Sequence, residues 1–342
     1  MTETLILTII VCAAALVFDF INGFHDASNS IATIVATRVL KYSQAVVWAA
    51  AFNFIAFFTF STGVAKMVGA GMLHVDHMTL SAILAGLLGG IAWNLITWWR
   101  GIPASSSHTL MGALAGSVYV HSAMAGDWDP MHVFIVDGWI KVLAFIFIAP
   151  IIGYILSFVV HRAALFTRQH VHPEKGWSGF FKIAQLCSSA ALSFNHGTND
   201  AQKTAGVVAM ALVAGGYMSM ADFHIPWWVL LMANLTIALG TMIGGWRIVK
   251  TMGFRLAKLR PMDGFAAETG AALSIGLATA FHLPVSTTLS TTGAIAGVGT
   301  AQGLGFNHEV FRRIFLTWCV TLPAAFLMGG AVMFVVQLFL PA

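Results

Sequence analysis

Charged side chains are what this sequence has least of: 30 Asp, Glu, Lys and Arg among 342 residues, against 58% in the hydrophobic set. A soluble domain carries roughly 25% charged residues, and 9% cannot coat a globule that faces water on every side. An ordinary cytosolic enzyme, a disordered chain and a soluble nucleic-acid binder are thereby excluded. The basic excess, a formal net charge of +4, is too small to argue for nucleic acid as a partner. Cysteine is scarce too. Cys12, Cys187 and Cys319 all lie in apolar runs and read as small hydrophobes rather than a disulfide framework. No basic residue precedes the first apolar stretch, Leu5 to Phe18, so it lacks the n-region of a secretory signal and reads as a retained helix. The apolar runs are continuous rather than alternating, which argues against a membrane β-barrel. The composition therefore predicts an all-α polytopic membrane protein.

At about 20 residues per helical span, the chain holds roughly 10–12 membrane elements. Candidate crossings fall near 4–37 and 183–213, each interrupted by polar residues, and near 43–65, 79–99, 102–120, 133–160, 227–246, 265–281, 284–300 and 311–339. A basic stretch from His161 to Lys182, containing Pro173 and Lys175, divides them five and five. The two sides share motifs. Gly23, Asp26 and Ala27 recur as Gly197, Asp200 and Ala201 at an offset of 174. Pro103-Ala104-Ser105-Ser106-Ser107 recurs as Pro284-Val285-Ser286-Thr287-Thr288 at an offset of 181, and Gly112 and Gly116 recur as Gly293 and Gly297. This is an internal repeat. With the N-terminus outside, 14 of the 17 basic residues fall on inside loops, leaving Lys66, Lys141 and Lys203, so positive-inside bias predicts both termini outside. Five crossings per repeat then turn the second copy upside down. The expected organisation is a first transmembrane repeat (1–160), a cytoplasmic linker (161–182) and a second, inverted repeat (183–342). Broken helices and Ser/Thr-rich helical hairpins are expected near the midplane, where inverted-repeat transporters place their site.

Asp19, Asp26, Asp200 and Lys203 interrupt segments that otherwise read as lipid-embedded, where ionisable groups mark sites or pathways. Asp19 reads equally as a helix end at the interface. Asp26 and Asp200 occupy equivalent places in the two repeats, beside Asn22, Asn29, Asn195 and Asn199; such oxygen-rich clusters suit Na⁺ or a proton. The second motif reads as an anion cradle. A proline favours a helix start just after it, placing Ser105, Ser106 and Ser107, with Ser286, Thr287 and Thr288, in a loop or first helical turn. There, free backbone N–H groups and the positive dipole end face a ligand. Lys203, where the first repeat has Asn29, would add a fixed positive charge beside the anion.

At these residues the sequence resembles the PiT family of inorganic phosphate transporters, whose paired signature is matched by Gly23-Phe24-His25-Asp26 and Gly197-Thr198-Asn199-Asp200. The resemblance spans both halves. It implies a secondary active symporter of orthophosphate, not an enzyme, working as a homodimer in the inner membrane without a resident cofactor. Carried over by position, Ser105, Ser106, Ser107, Ser286, Thr287 and Thr288 would hold phosphate, and Asp26, Asn29 and Asp200 would serve cation coupling and phosphate coordination. The residues of this sequence add Lys203 to the phosphate side and Asn22, Asn199 and His25 to the cation side. His25 and Lys203 depart from Na⁺-coupled relatives. They point instead to proton symport, with phosphate moving free or as a complex with a divalent metal; histidine titrates near pH ~6.5. The sequence assigns no metal ligands. Competing readings are Na⁺ coupling, a same-fold symporter of sulfate or another tetrahedral oxyanion, a channel, and an intramembrane hydrolase built on Ser105–Ser107 and His108. The second repeat has Leu289 where the first has His108, so the duplicated feature is the hydroxyl cluster rather than a catalytic dyad.

Overall fold

A computed structural model describes residues 2–59, 61–170 and 176–339, and these are almost wholly helical. The first half comprises α1 (Thr2–Ala36), α2 (Tyr42–Ile55), α3 (Gly63–Ala70), α4 (Leu80–Arg100), α5 (Ser106–Met124), the short α6 (Pro130–Val133) and α7 (Val136–His170). The second comprises α8 (Trp177–Ala214), α9 (Trp227–Ile243), α10 (Trp246–Val249, continued by a π-turn over Lys250–Arg255), α11 (Pro261–Ala280), α12 (Thr287–Ala301) and α13 (His308–Phe339). Among the described residues the β-type pairing is an isolated bridge, Leu73 to Phe134. Element for element the halves match: a long first helix, an interrupted second, a helical hairpin (α4–α5, α11–α12) and a long last helix.

Five helices are long and apolar enough to cross a membrane by length and composition, or six if the bent pair α9–α10 counts as one span. This is fewer than ten because α5, α8, α11 and α12 spend their length on glycine, serine, threonine and other polar residues that face protein. The architecture is that of a multi-pass membrane protein turned polar side inward. Ile140, Phe147, Ile151 and Ile155 on α7, with Leu327 and Leu338 on α13, are all at least half exposed. Lipid exacts no penalty for such surface, whereas polar groups must find partners inside.

Two expectations are corrected. The first helix of each repeat is not interrupted: α1 and α8 run unbroken through Asp26 and Asp200. Their polar side chains find partners on neighbouring helices, which leaves the backbone ladder intact. The breaks lie in the second element instead, between α2 and α3 and at Gly244–Gly245, where α9 and α10 meet at 67°. The prolines also do not open helices. Pro103 and Pro284 sit two residues before the N-caps Ser105 and Ser286, outside the helices. Of the stretch read as a linker, 161–170 completes α7 and 177–182 opens α8; Pro173 and Lys175 lie outside the described residues.

The halves interlock rather than sit side by side. The hairpin helix α5 packs on α13 of the other half, and α12 packs on α7. Glycine makes both approaches possible. A Cβ at Gly116 would overlap the Phe326 carbonyl, and one at Gly297 would overlap that of Tyr154. Gly112 and Gly293 stand in the same relation to Leu322 and Pro150. Likewise α1 packs on α9 and α8 on α2, with Gly23 seated against Ile237 and Gly197 against Asn53.

Candidate functional site

Every sequence-predicted site residue is at most 4% exposed, and the fold gathers them where α1, α8 and the two hairpin tips meet. Ser105 caps α5 by accepting from the His108 backbone N–H, and Ser286 caps α12 by accepting from that of Leu289. This is ordinary N-cap chemistry, and it sets Ser106, Ser107, Thr287 and Thr288 in the first turns. The serine capping interaction also occupies Ser105 with a backbone donor, rather than with the imidazole of His108 that a hydrolase would require.

The tips touch reciprocally. The Ser107 hydroxyl donates to the Val285 carbonyl at 2.9 Å, and the Thr288 hydroxyl to the Ala104 carbonyl at 3.2 Å. Both pairs obey the offset of 181, so the contact is the pseudo-twofold of the repeat made visible. The long helices extend the symmetry. Asn29 donates to Thr288 at 2.9 Å and to Thr287 at 3.1 Å. At the equivalent place Lys203 donates to Ser107, to Asp200 Oδ1 at 2.6 Å and to the Val285 carbonyl at 2.7 Å. An ammonium has three protons, and here all three are used.

Around this junction lie the carboxylates. His25 Nδ1 stands 3.0 Å from Asp26 Oδ1, and its Nε2 is 3.1 Å from Thr97 Oγ1. Thr288 donates to the same Asp26 oxygen at 3.4 Å, and Asn22 donates to Asp200 Oδ2 at 3.5 Å. Asn199 braces the second hairpin, donating to Thr279 at 2.8 Å and to the Leu283 carbonyl at 3.2 Å. It therefore positions the tip rather than opening onto the centre. Among the described residues, Ser106 Oγ, Asn22 Oδ1 and Asn29 Oδ1 are buried without a hydrogen-bond partner, leaving donors and acceptors free at the junction.

Sequence reasoning missed two residues. His196, in α8, has Nε2 3.4 Å from Asp200 Oδ2 while Nδ1 meets Asn53 Oδ1 at 3.1 Å. Ligand atoms of Asp26, His196 and Asp200 all lie within 4.8 Å of one another, close enough to share a metal ion. A signal was present, since His196 is the repeat equivalent of Asn22 at the offset of 174. The other is Glu268. Buried on α11, it accepts from Thr33 and Ser188 at 2.6 Å and from Gln185 at 2.9 Å. These donors come from helices remote in sequence, and no motif announces them.

Chemically, the junction offers two helix N-termini with hydroxyl donors for an oxyanion, one fixed ammonium, and a carboxylate–imidazole group for a cation. Comparison with known proteins identifies the family. A family model described as the phosphate transporter family matches residues 22–175 and again 163–329, one match to each repeat. The chain is 43% identical over 329 residues to a probable low-affinity inorganic phosphate transporter of Rhizobium meliloti, with 95% of each chain covered. It is 41% identical over 340 residues to one of Bacillus subtilis, with 98% of each covered. A solved structure described as the sodium-dependent phosphate transporter shares its fold, with a TM-score of 0.85 at 24% identity over 99% of this chain and 100% of that one.

Proposed function

The chain belongs to the phosphate transporter family, and from that premise we propose that it imports inorganic phosphate across the inner membrane by proton symport. Phosphate sits between the hairpin tips, held by the first-turn hydroxyls and N–H groups of Ser105–Ser107 and Ser286–Thr288. The observation that carries the reading is Lys203, whose ammonium bridges Ser107, Asp200 and Val285. A fixed positive charge takes, in the second repeat, the place that an exchangeable Na⁺ would fill beside Asp200, while the first repeat has the neutral Asn29 at the equivalent position near Asp26. Phosphate retains a hydrogen near neutral pH that sulfate lacks, and Asp26 and Asp200 are acceptors for it. Both termini are outside, and the working unit is a homodimer in the lipid bilayer.

A second reading concerns the cargo. The Asp26–His196–Asp200 group has the donors of a divalent-metal site, mixed carboxylate and imidazole, which favours phosphate entering as a metal complex. Labelled phosphate and sulfate uptake into proteoliposomes, under separate Na⁺ and proton gradients and with or without Mg²⁺, tests all of this. Proton-driven uptake of phosphate over sulfate is expected. No phosphate uptake under either gradient would overturn the proposal, and indifference to Mg²⁺ would leave free phosphate as the cargo.

A further inference from the structure

Asp19 takes no part in the phosphate cradle, yet the structure gives it an unusual place. It is the middle residue of the 35-residue α1 and wholly buried, not at a helix end. One carboxyl oxygen accepts from the Thr204 hydroxyl at 2.9 Å. The other is buried without a partner among the described residues. The nearest cation, Lys203, has spent its three protons on Ser107, Asp200 and Val285. The groups facing Asp19 are Asn22, whose amide also serves Asp200, Asp200 itself, which repels a second negative charge, and Lys203, whose attraction is shared with the Asp200 carboxylate it directly pairs. His108 on α5 lies beside Lys203. Of the other helices packed around α1, α9 and α12 carry no ionisable residue, α4 only Arg100 and α2 only Tyr42, each at a helix end. α8 adds His196 beside Asp200, and α10 with its π-turn brings Arg247, Lys250 and Arg255 to the stretch of α1 from Phe24 to Ala32, beyond Asp19. Glu268 meets α1 at Thr33, well along the helix.

The fold does not require an acid here. At the offset of 174 the counterparts of Asp19 and Thr204 are Ser193 and Ser30, and Ser193 simply bonds its own helix at Ser189. An ionised carboxylate with one bare oxygen in such surroundings is unfavourable, whereas the protonated acid is neutral and needs no counter-charge. Resting on the proton-symport reading, we propose that Asp19 is the proton-binding group of the transport cycle, protonated in this arrangement and deprotonated when the site opens and water or a freed Lys203 reaches it. The step is simple: the carboxylate takes one proton on one side and releases it on the other.

The test uses purified full-length chain in proteoliposomes, with phosphate as the probe. D19N mimics the protonated acid permanently. It should keep phosphate–phosphate exchange within about threefold of wild type, since exchange moves no net proton, while stimulation of net uptake by an inward proton gradient disappears. D19E should restore part of that stimulation with a displaced pH profile. Unchanged gradient stimulation in D19N, or equal loss of exchange and net uptake in a folded variant, would overturn the assignment. Should D19N not fold, T204V keeps the acid but removes its donor, and an unaltered pH profile there would overturn it as well. If wild type itself ignores the proton gradient, the symport reading fails and the assignment falls with it. If wild type responds and D19N responds alike, only the assignment fails.

Discussion

Replacing Lys203 with methionine keeps most of the side chain's length and packing but removes the ammonium. Its three hydrogen bonds vanish together, and Asp200 is left with Asn22 at 3.5 Å and His196 at 3.4 Å. Hydrogen bonds to charged groups contribute about 1.5–3 kcal/mol each, but summing three would ignore what it costs to strip water from a lysine only 2% exposed. The better guide is the buried pair itself. Removing one partner costs about 3–5 kcal/mol, because the survivor is a buried, uncompensated charge. The double variant K203M/D200N has no such survivor and should cost less than K203M alone, giving a coupling energy of at least about 2 kcal/mol. The assay is unfolding in detergent micelles, followed by tryptophan fluorescence, for the four members of the cycle. K203R should not rescue uptake, because a planar guanidinium cannot direct protons at three acceptors arranged around one nitrogen. A K203M cost under about 1 kcal/mol, or a double variant at the sum of the singles, would falsify the reading of Lys203 as the buried counter-charge of Asp200.

Four further outcomes are expected. S107A and T288A each remove one hydroxyl proposed to hold phosphate, which here bridges the tips, and at about 0.5–1.5 kcal/mol per bond to the ligand each should raise the KM for phosphate roughly three- to tenfold, measured from initial uptake rates. G116L places a side chain where the Phe326 carbonyl stands and should prevent α5 from docking on α13, seen as lost monodispersity in gel filtration. G179A, in open space within α8, should instead be neutral or stabilise by up to about 1 kcal/mol. In the loop before α7, a hydrogen bond from His132 holds the Asp127 carboxyl below its usual range, and the same bond raises the His132 imidazole. The histidine contribution is full below its unfolded pKa and fades as pH rises through the raised value. The aspartate contribution is full above its unfolded pKa and fades as pH falls through the lowered one. Hydrogen-exchange protection over residues 127–134 should therefore peak between about pH 4 and 6.5, and a flat profile would remove the pair from the account.

The repeat was legible in the sequence because its two motifs keep nearly constant offsets, and the tips were legible in part: Ser105–Ser107 and Ser286–Thr288 do fall at helix starts, but the serines cap those helices and the prolines stand outside them. Continuity of α1 and α8 was not legible. Polar clusters inside an apolar run look like breaks until their partners are known, and those of Asn29 and Lys203 come from Thr288 and Ser107, elsewhere in the chain. The burial of Asp19 was hidden for the same reason, since Thr204 belongs to the other half. His196 shows the reverse case. Its repeat partner Asn22 had been picked out, but one histidine among 13 carries no mark of the carboxylates beside it.

The crossed packing of α5 on α13 and of α12 on α7 also dictates an order of events during synthesis. When α5 leaves the ribosome its docking partner has not been made; α13 begins at His308, nearly two hundred residues after α5 ends at Met124. At about 5–20 residues per second the first hairpin waits roughly 10–40 s with its serine-rich tip unmatched. The first repeat is therefore a holding intermediate rather than a folded domain. A chain truncated after α7 should be cleared by membrane proteolysis, and co-expression of the missing half as a separate chain should protect it.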